Sequence, residues 1–214
     1  MKIMEIMKNK ENRNFNIEFR IEGDVDNERV VGYGSVFNKR SENLGGFVEE
    51  IAPGAFDDVL ADSQNLDVRA LFNHDPNLIL GRSQAGTLDL SVDETGLQYS
   101  FDMPATTYGR DLLVSMQRGD VSQSSFGFVV GSDTWTETSE GIPLRTINSI
   151  SRLLDVSPVT FAAYPDATTG LRSLEQHKKN MANLAIEKKE TEKETIDLQN
   201  RSIRELNLKL KLKS

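Results

Sequence analysis

Only two histidines occur in the 214 residues, and one of them, His177, falls in a charged C-terminal stretch. His74, in ALFNHD, is therefore the one imidazole of the chain's body. An imidazole has an ordinary pKa near ~6.5, which suits a general base at neutral pH. A lone histidine at a strand end also reads as a structural or solvent-facing residue. The second feature is DVSQSSFGFVV at 120–130, where adjacent serines run into two phenylalanines. In an extended strand Ser124, Phe126, Phe128 and Val130 share one face, and Ser125, Gly127 and Val129 the other. If the phenylalanines point into a core, Ser124 follows them and Ser125 faces outward. Gly127 then leaves open space beside Ser125 for a substrate backbone. Taken alone, Ser125 also reads as an ordinary exposed strand serine. The third feature is Asp155 in SRLLDVSPVTFAAY, the one charge between Leu153 and Phe161. A carboxylate in such a run needs a hydrogen-bonding or cationic partner to offset desolvation. An imidazole that becomes charged during acyl transfer is one such partner; Arg152 or a strand edge is the plainer alternative.

Other chemistries find less support. Cysteine is absent, which excludes a thiol nucleophile, thiolate metal sites and disulfides. One body histidine and scattered carboxylates give no metal-ligand spacing, so no metal and no cofactor is expected. GYGSVF lacks the third glycine and the following helix of a phosphate loop.

The elements that must position these residues are mostly strands. NFNIEFRIE alternates Phe15, Ile17, Phe19 and Ile21 with polar residues, and RVVGYGSVFN reads as a second strand. IAPGAFDDVLAD leads into a short helix, and DVRALFNHD reads as a strand ending at His74. GTLDLSVDETGLQYSFDM is a hairpin turning at Glu94–Gly96. TTYGRDLLVSMQRGD is a helix capped by Thr106 or Thr107 and ended by Gly119, with Leu112, Leu113 and Met116 on its apolar side. GSDTWTETSEGIP reads as a loop before one or two strands over LRTINSISRLLDVSPVTFAAYPDA. The fold class expected is mainly β with helices (α+β).

The length suits one domain plus appendages. No apolar run reaches 18 residues, so no membrane span is expected, and the first 15 residues lack the apolar core of a signal peptide. The net charge is −8, but residues 171–214 hold 11 Lys and Arg against 7 Asp and Glu. The body is thus strongly acidic, which argues against nucleic acid as the main ligand. In the tail, Ile196, Gln199, Ile203, Leu206 and Leu210 follow three-and-four spacing, the stripe of a surface helix or of one that meets a partner helix. The divisions expected are a flexible leader at 1–14, a domain at 15–170 and a charged helical tail at 171–214.

Five stretches in this order, EEIAPGAF (49–56), ALFNHD with LGRS (70–83), TTYGRDLL (106–113), RGDVSQSSFGF (118–128) and LLDVSPVTFAAYPDA (153–167), resemble the prohead maturation proteases of tailed bacteriophages. These are serine peptidases related in fold to the herpesvirus assemblins. The resemblance runs from about Phe15 to Gly170. It implies an assemblin-like β-barrel core, with His74 as general base, Ser125 as nucleophile and Asp155 as third member. Asp75 and Glu49 are the fallback carboxylates; Asp75, next to His74, should point away from the ring. The assemblins' arginine pair has no counterpart after Asp155, where FAAYPDA stands.

The family implies a serine endopeptidase acting inside the assembling prohead, in the host cytoplasm. Its substrates would be the scaffold, or the scaffolding segment of the major capsid protein, and the protease itself. The tail would dock to scaffold or self-associate into a homo-oligomer. The competing readings are a non-catalytic capsid-assembly or scaffolding protein on a degenerate protease fold, and a small-ligand barrel, which no pocket motif supports.

Overall fold

The computed structural model describes residues 6, 8–15, 19–23, 28–161 and 167–211. The chain divides into two compact units, residues 1–171 and 172–214.

The first unit is built from two sheets. One contains β1 (Glu11–Phe15), β4 (Val48–Ile51), β5 (Arg69–Leu71), β6 (Ile79–Arg82), β9 (Gln123–Glu137) and β10 (Pro143–Val159). Its order is β1-β9-β10-β5-β6, with β4 also paired to β10. The other has the order β2-β3-β8-β7, formed by β2 (Arg20–Glu22), β3 (Arg29–Val36), β7 (Asp89–Val92) and β8 (Gly96–Asp102). Both sheets feed one apolar cluster. Val30, Leu97, Tyr99 and Phe101 come from the second sheet, and Phe126, Phe128, Ile150, Leu153 and Val156 from β9 and β10. Phe126 and Phe128, two apart on β9, stack at 4.5 Å between centroids. The strand pairing among the described residues gives two sheets around one core.

Two short helices complete this unit. Helix α1 is Asp57–Ala61. Helix α2 is Thr107–Gln117, capped by Thr106, whose Oγ1 accepts from the Gly109 N–H at 3.1 Å. Leu112 and Met116 of α2 are buried. A third helix, α3, runs for 45 residues from Ala167 to Lys211. In the second unit it exposes Met181, Leu184 and Ile186; the side chains of the stripe from Ile196 to Leu210 lie largely outside the described residues.

Four elements differ from the sequence reading. Residues 11–14, assigned to a flexible leader, form most of β1 on the edge of β9. The expected strand from Phe15 to Ile21 does not run through: β1 ends at Phe15, β2 begins at Arg20, and 16–18 lie outside the described residues. The stretch from Gly131 to Glu137 is strand rather than loop, because Thr134, Trp135 and Thr136 pair with Thr146, Arg145 and Leu144 of β10. Finally, β5 stops at Leu71, and His74 sits in a turn beyond it.

Candidate active site

The register of β9 on β10 sets which side chains can meet. Phe128 faces Leu153, and Gly127 faces Asp155, so two steps on β10 answer one step on β9. This bulge at Leu154 turns Asp155 away from the face that buries Leu153. Such bulges re-aim side chains. From there the ladder is regular: Val156 opposes Phe126 in the core, and Ser157 opposes Ser125 on the other face. Ser125, Gly127, Asp155 and Ser157 therefore share one face, set by the bulge.

His74 reaches that face from a tight turn. Asp75 N–H donates to Phe72 O at 3.0 Å, and both central residues, Asn73 (φ 55°) and His74 (φ 60°), are left-handed. Two positive φ values are the signature of a type I′ turn, and each costs on the order of 1 kcal/mol or more outside glycine. The turn is fastened to the end of β10. Asn73 N–H donates to Pro158 O (3.0 Å), Asn73 Nδ2 donates to Thr160 Oγ1 (3.1 Å), and Thr160 N–H donates to Asn73 Oδ1 (2.9 Å).

The three sequence candidates come together here. His74 Nδ1 donates to Asp155 Oδ1 in a short hydrogen bond. Because an ionised carboxylate only accepts, this contact puts the ring proton on Nδ1 and leaves Nε2 as an acceptor. Nε2 lies 2.6 Å from Ser125 Oγ. Asp155 is 2% exposed. Burial alone would raise its pKa, but the hydrogen bond and charge of His74 and the ammonium of Lys10 outweigh burial and hold it below the ordinary carboxylate value. Two further contacts were not read from the sequence. Ser157 Oγ donates to Asp155 Oδ1 at 3.0 Å, and Lys10 Nζ donates to Asp155 Oδ2 at 2.7 Å. Strand parity, two residues after Asp155, is the signal that would have found Ser157; nothing local would have found Lys10.

Several expectations about the surroundings are corrected. Ser125 does lie opposite the core face, while Ser124 donates inward to Tyr99 OH at 3.0 Å. It is nevertheless fully buried, because β1 covers it. The space beside Gly127 is filled: a Cβ there would lie 2.5 Å from Lys10 Cε and against Asp155 Oδ2. Arg152 is exposed and is not the partner of Asp155. Asp75 accepts from the N–H and side-chain amide of Asn77.

Glu49 belongs to a separate buried ion cluster. Its Oε1 and Oε2 accept from Arg13 Nε (2.6 Å) and Nη2 (2.9 Å), and Oε2 also accepts from Arg145 Nη1 (3.0 Å). Arg13 and Arg145 also both bind Glu11, and Arg145 Nε binds Asp133 at 2.6 Å. The Arg13 guanidinium sits 5.7 Å above the Phe128 ring. Burial would lower the pKa of Arg13, but Glu49 and Glu11 overcome it, and the group stays charged.

Two surface depressions of about 500 and 520 Å³ lie elsewhere, one bordered by Asp58, Asn65 and Arg152, the other by Ile79, Ala85 and Pro104. None of His74, Ser125 and Asp155 lines either. Among the described residues no cluster of His, Asp and Glu could hold a metal, and no helix is long and apolar enough to cross a membrane.

A family profile described as caudovirus prohead serine protease matches residues 15–180. The prohead protease of Enterobacteria phage HK97 is 34% identical over 152 residues, which cover 70% of this chain and 62% of that protein. The chain thus spans less than two thirds of the length of that relative. The solved structure of the bacteriophage T4 capsid assembly protease, gp21, aligns over 70% of this chain and 98% of that one, at 13% identity and a TM-score of 0.39.

Proposed function

As the chain belongs to the caudovirus prohead serine protease family, we propose that it is the serine endopeptidase of capsid maturation, acting inside the prohead. Its substrates in this reading are the major capsid protein, through a scaffolding segment, or a separate scaffold, and the enzyme itself. The two sheets around one apolar cluster are read as an assemblin-like barrel core. The observation that carries the reading is the unbroken chain from Ser125 Oγ through His74 to the buried carboxylate of Asp155.

The chemistry follows from those contacts. His74 Nε2 accepts the Ser125 proton as Oγ adds to the substrate carbonyl. The imidazolium so formed is stabilised by Asp155, and Nε2–H then protonates the leaving amine. Water repeats the sequence on the acyl-enzyme. Asp155 stays ionised throughout, since its depressed pKa keeps it a carboxylate down through the ordinary range. Ser157 positions the carboxylate by donating to the oxygen that holds the ring.

One observation favours the non-catalytic reading, in which the fold serves as a binding module: Ser125 has no exposure to solvent. The decisive experiment is co-expression with the capsid and scaffold proteins of the same phage, followed by mass spectrometry of the products. Ser125→Ala and His74→Ala are expected to abolish cleavage, a loss on the order of 10⁶, and Asp155→Asn to lose up to ~10⁴. Ser124→Ala, which removes only the bond to Tyr99, is expected to retain activity. Cleavage persisting in Ser125→Ala would refute the assignment.

A further inference from the structure

Resting on the protease reading, we propose that the edge of β9 beside Ser125 is the substrate-docking strand, and that the chain's own β1 occupies it as an internal substrate mimic. A substrate would enter as an extended segment antiparallel to β9, with a basic side chain in the place of Arg13, opposite Glu49.

The pairing has the form of strand addition. Glu11 to Phe15 lie antiparallel to Phe128 to Ser124, with Asn14 directly across from Ser125. Backbone pairing of this kind gives an extended peptide affinity, and pockets for alternate side chains give it selectivity. The covering strand also reaches the reacting atoms. Arg13 O lies 3.0 Å from Ser125 Oγ, as an acceptor. The hydroxyl has one proton and two acceptors, His74 Nε2 and this carbonyl. A proton directed at Arg13 O is not available to the base. Lys10 acts on the other end of the triad. By binding Asp155 Oδ2 it neutralises much of the charge that would stabilise an imidazolium on His74. Both contacts hold the triad assembled and unreactive.

The ion cluster explains why β1 can leave and what would replace it. β1 brings Glu11 and Arg13, a pair of opposite charges that departs neutral. What stays behind is Glu49 and Asp133 with Arg145, which bonds to both. That remainder is one negative charge in excess, and Glu49 Oε1 then loses its Arg13 donor. A vacated site of this kind selects an incoming cation with a forked donor, because one carboxylate charge in excess of its cations is costly there. Phe128 beneath the guanidinium adds a flat face suited to arginine.

The test uses the full chain and a fluorophosphonate probe, with the modified residue identified by mass spectrometry. Arg13→Glu sets a carboxylate against Glu49 and should release β1. Arg13→Met keeps the bulk without the charge, and serves if the reversal fails to fold by circular dichroism. Labelling at Ser125 is expected to be about tenfold or more faster in either variant than in the wild type. A synthetic peptide of the sequence KENRNF should slow that labelling again, and the same peptide with Glu in place of Arg should not. Equal labelling rates in wild type and both variants would overturn the mimic while leaving the protease reading intact. Equal inhibition by the two peptides would overturn the basic-residue preference. No labelling of any form, together with no cleavage on co-expression, would sink both readings.

Discussion

At the scale of single residues, Gly127 makes the sharpest demand. It faces Asp155 across the ladder, and its missing Cβ is the room that the carboxylate and Lys10 occupy. Gly127→Ala should displace the carboxylate from His74 while leaving the phenylalanines on the other face undisturbed. A shift of about 1 Å in a catalytic group costs on the order of 10²-fold in rate. We expect that loss in cleavage rate with little change in thermal midpoint, and activity within twofold of the wild type would contradict it. As candidates, His74, Ser125 and Asp155 were legible in the sequence: scarcity marks the histidine, strand parity the serine, and an otherwise uncharged run the carboxylate. Their burial was not: Ser125 looked outward, yet a strand from far upstream covers it. Lys10 was invisible because its partner Asp155 lies 145 residues away.

At the scale of elements, the two sheets meet at a polar contact as well as an apolar one. Tyr99 of β8 is fully buried and takes the hydrogen bond of Ser124 on β9. Burial pushes its pKa up to about 12, and the Ser124 bond offsets only part of this. A phenol whose pKa is raised on folding contributes stability that is complete below the unfolded value near ~10. That contribution is lost as pH rises through about 12. Two units correspond to about 3 kcal/mol at the far end of that window. Tyr99→Phe should therefore flatten the fall in the urea midpoint between about pH 10 and 12. An identical slope in the two proteins would show that other groups carry the alkaline limb. The β7–β8 hairpin and α2 were readable because their apolar periods and capping residues are local. Strand β1 was not, since ENRNF offers no apolar alternation before Phe15. Its strand conformation comes from pairing with β9, and ion pairs with Glu49 and Arg145 fasten it there. The extension of β9 past Gly131 was hidden for a similar reason: its polar residues are held by the facing strand β10.

At the scale of the whole molecule, the division after Leu171 separates an acidic body from a basic helix. A chain ending at Ser173 is expected to remain folded and to be labelled at Ser125 as the full chain is, yet to be recruited poorly into procapsids during co-expression. An insoluble truncation would instead assign the tail to the stability of the body. Within the body, the placement of β1 has a mechanical consequence. It lies on an outer edge with one pairing neighbour on its path, β9, so it can be peeled one residue at a time rather than sheared off at once. Chain direction sets the order of rupture. Tension applied from the N-terminal side tears Lys10 from Asp155 first, then Glu11 from Arg145, and reaches the Arg13 carbonyl at Ser125 after both. Tension from the C-terminal side begins at Phe15, one step from the residue that faces Ser125, and reaches Lys10 last. The same strand is thus a latch with two different release sequences, one that frees the Asp155 carboxylate first and one that frees the Ser125 hydroxyl first.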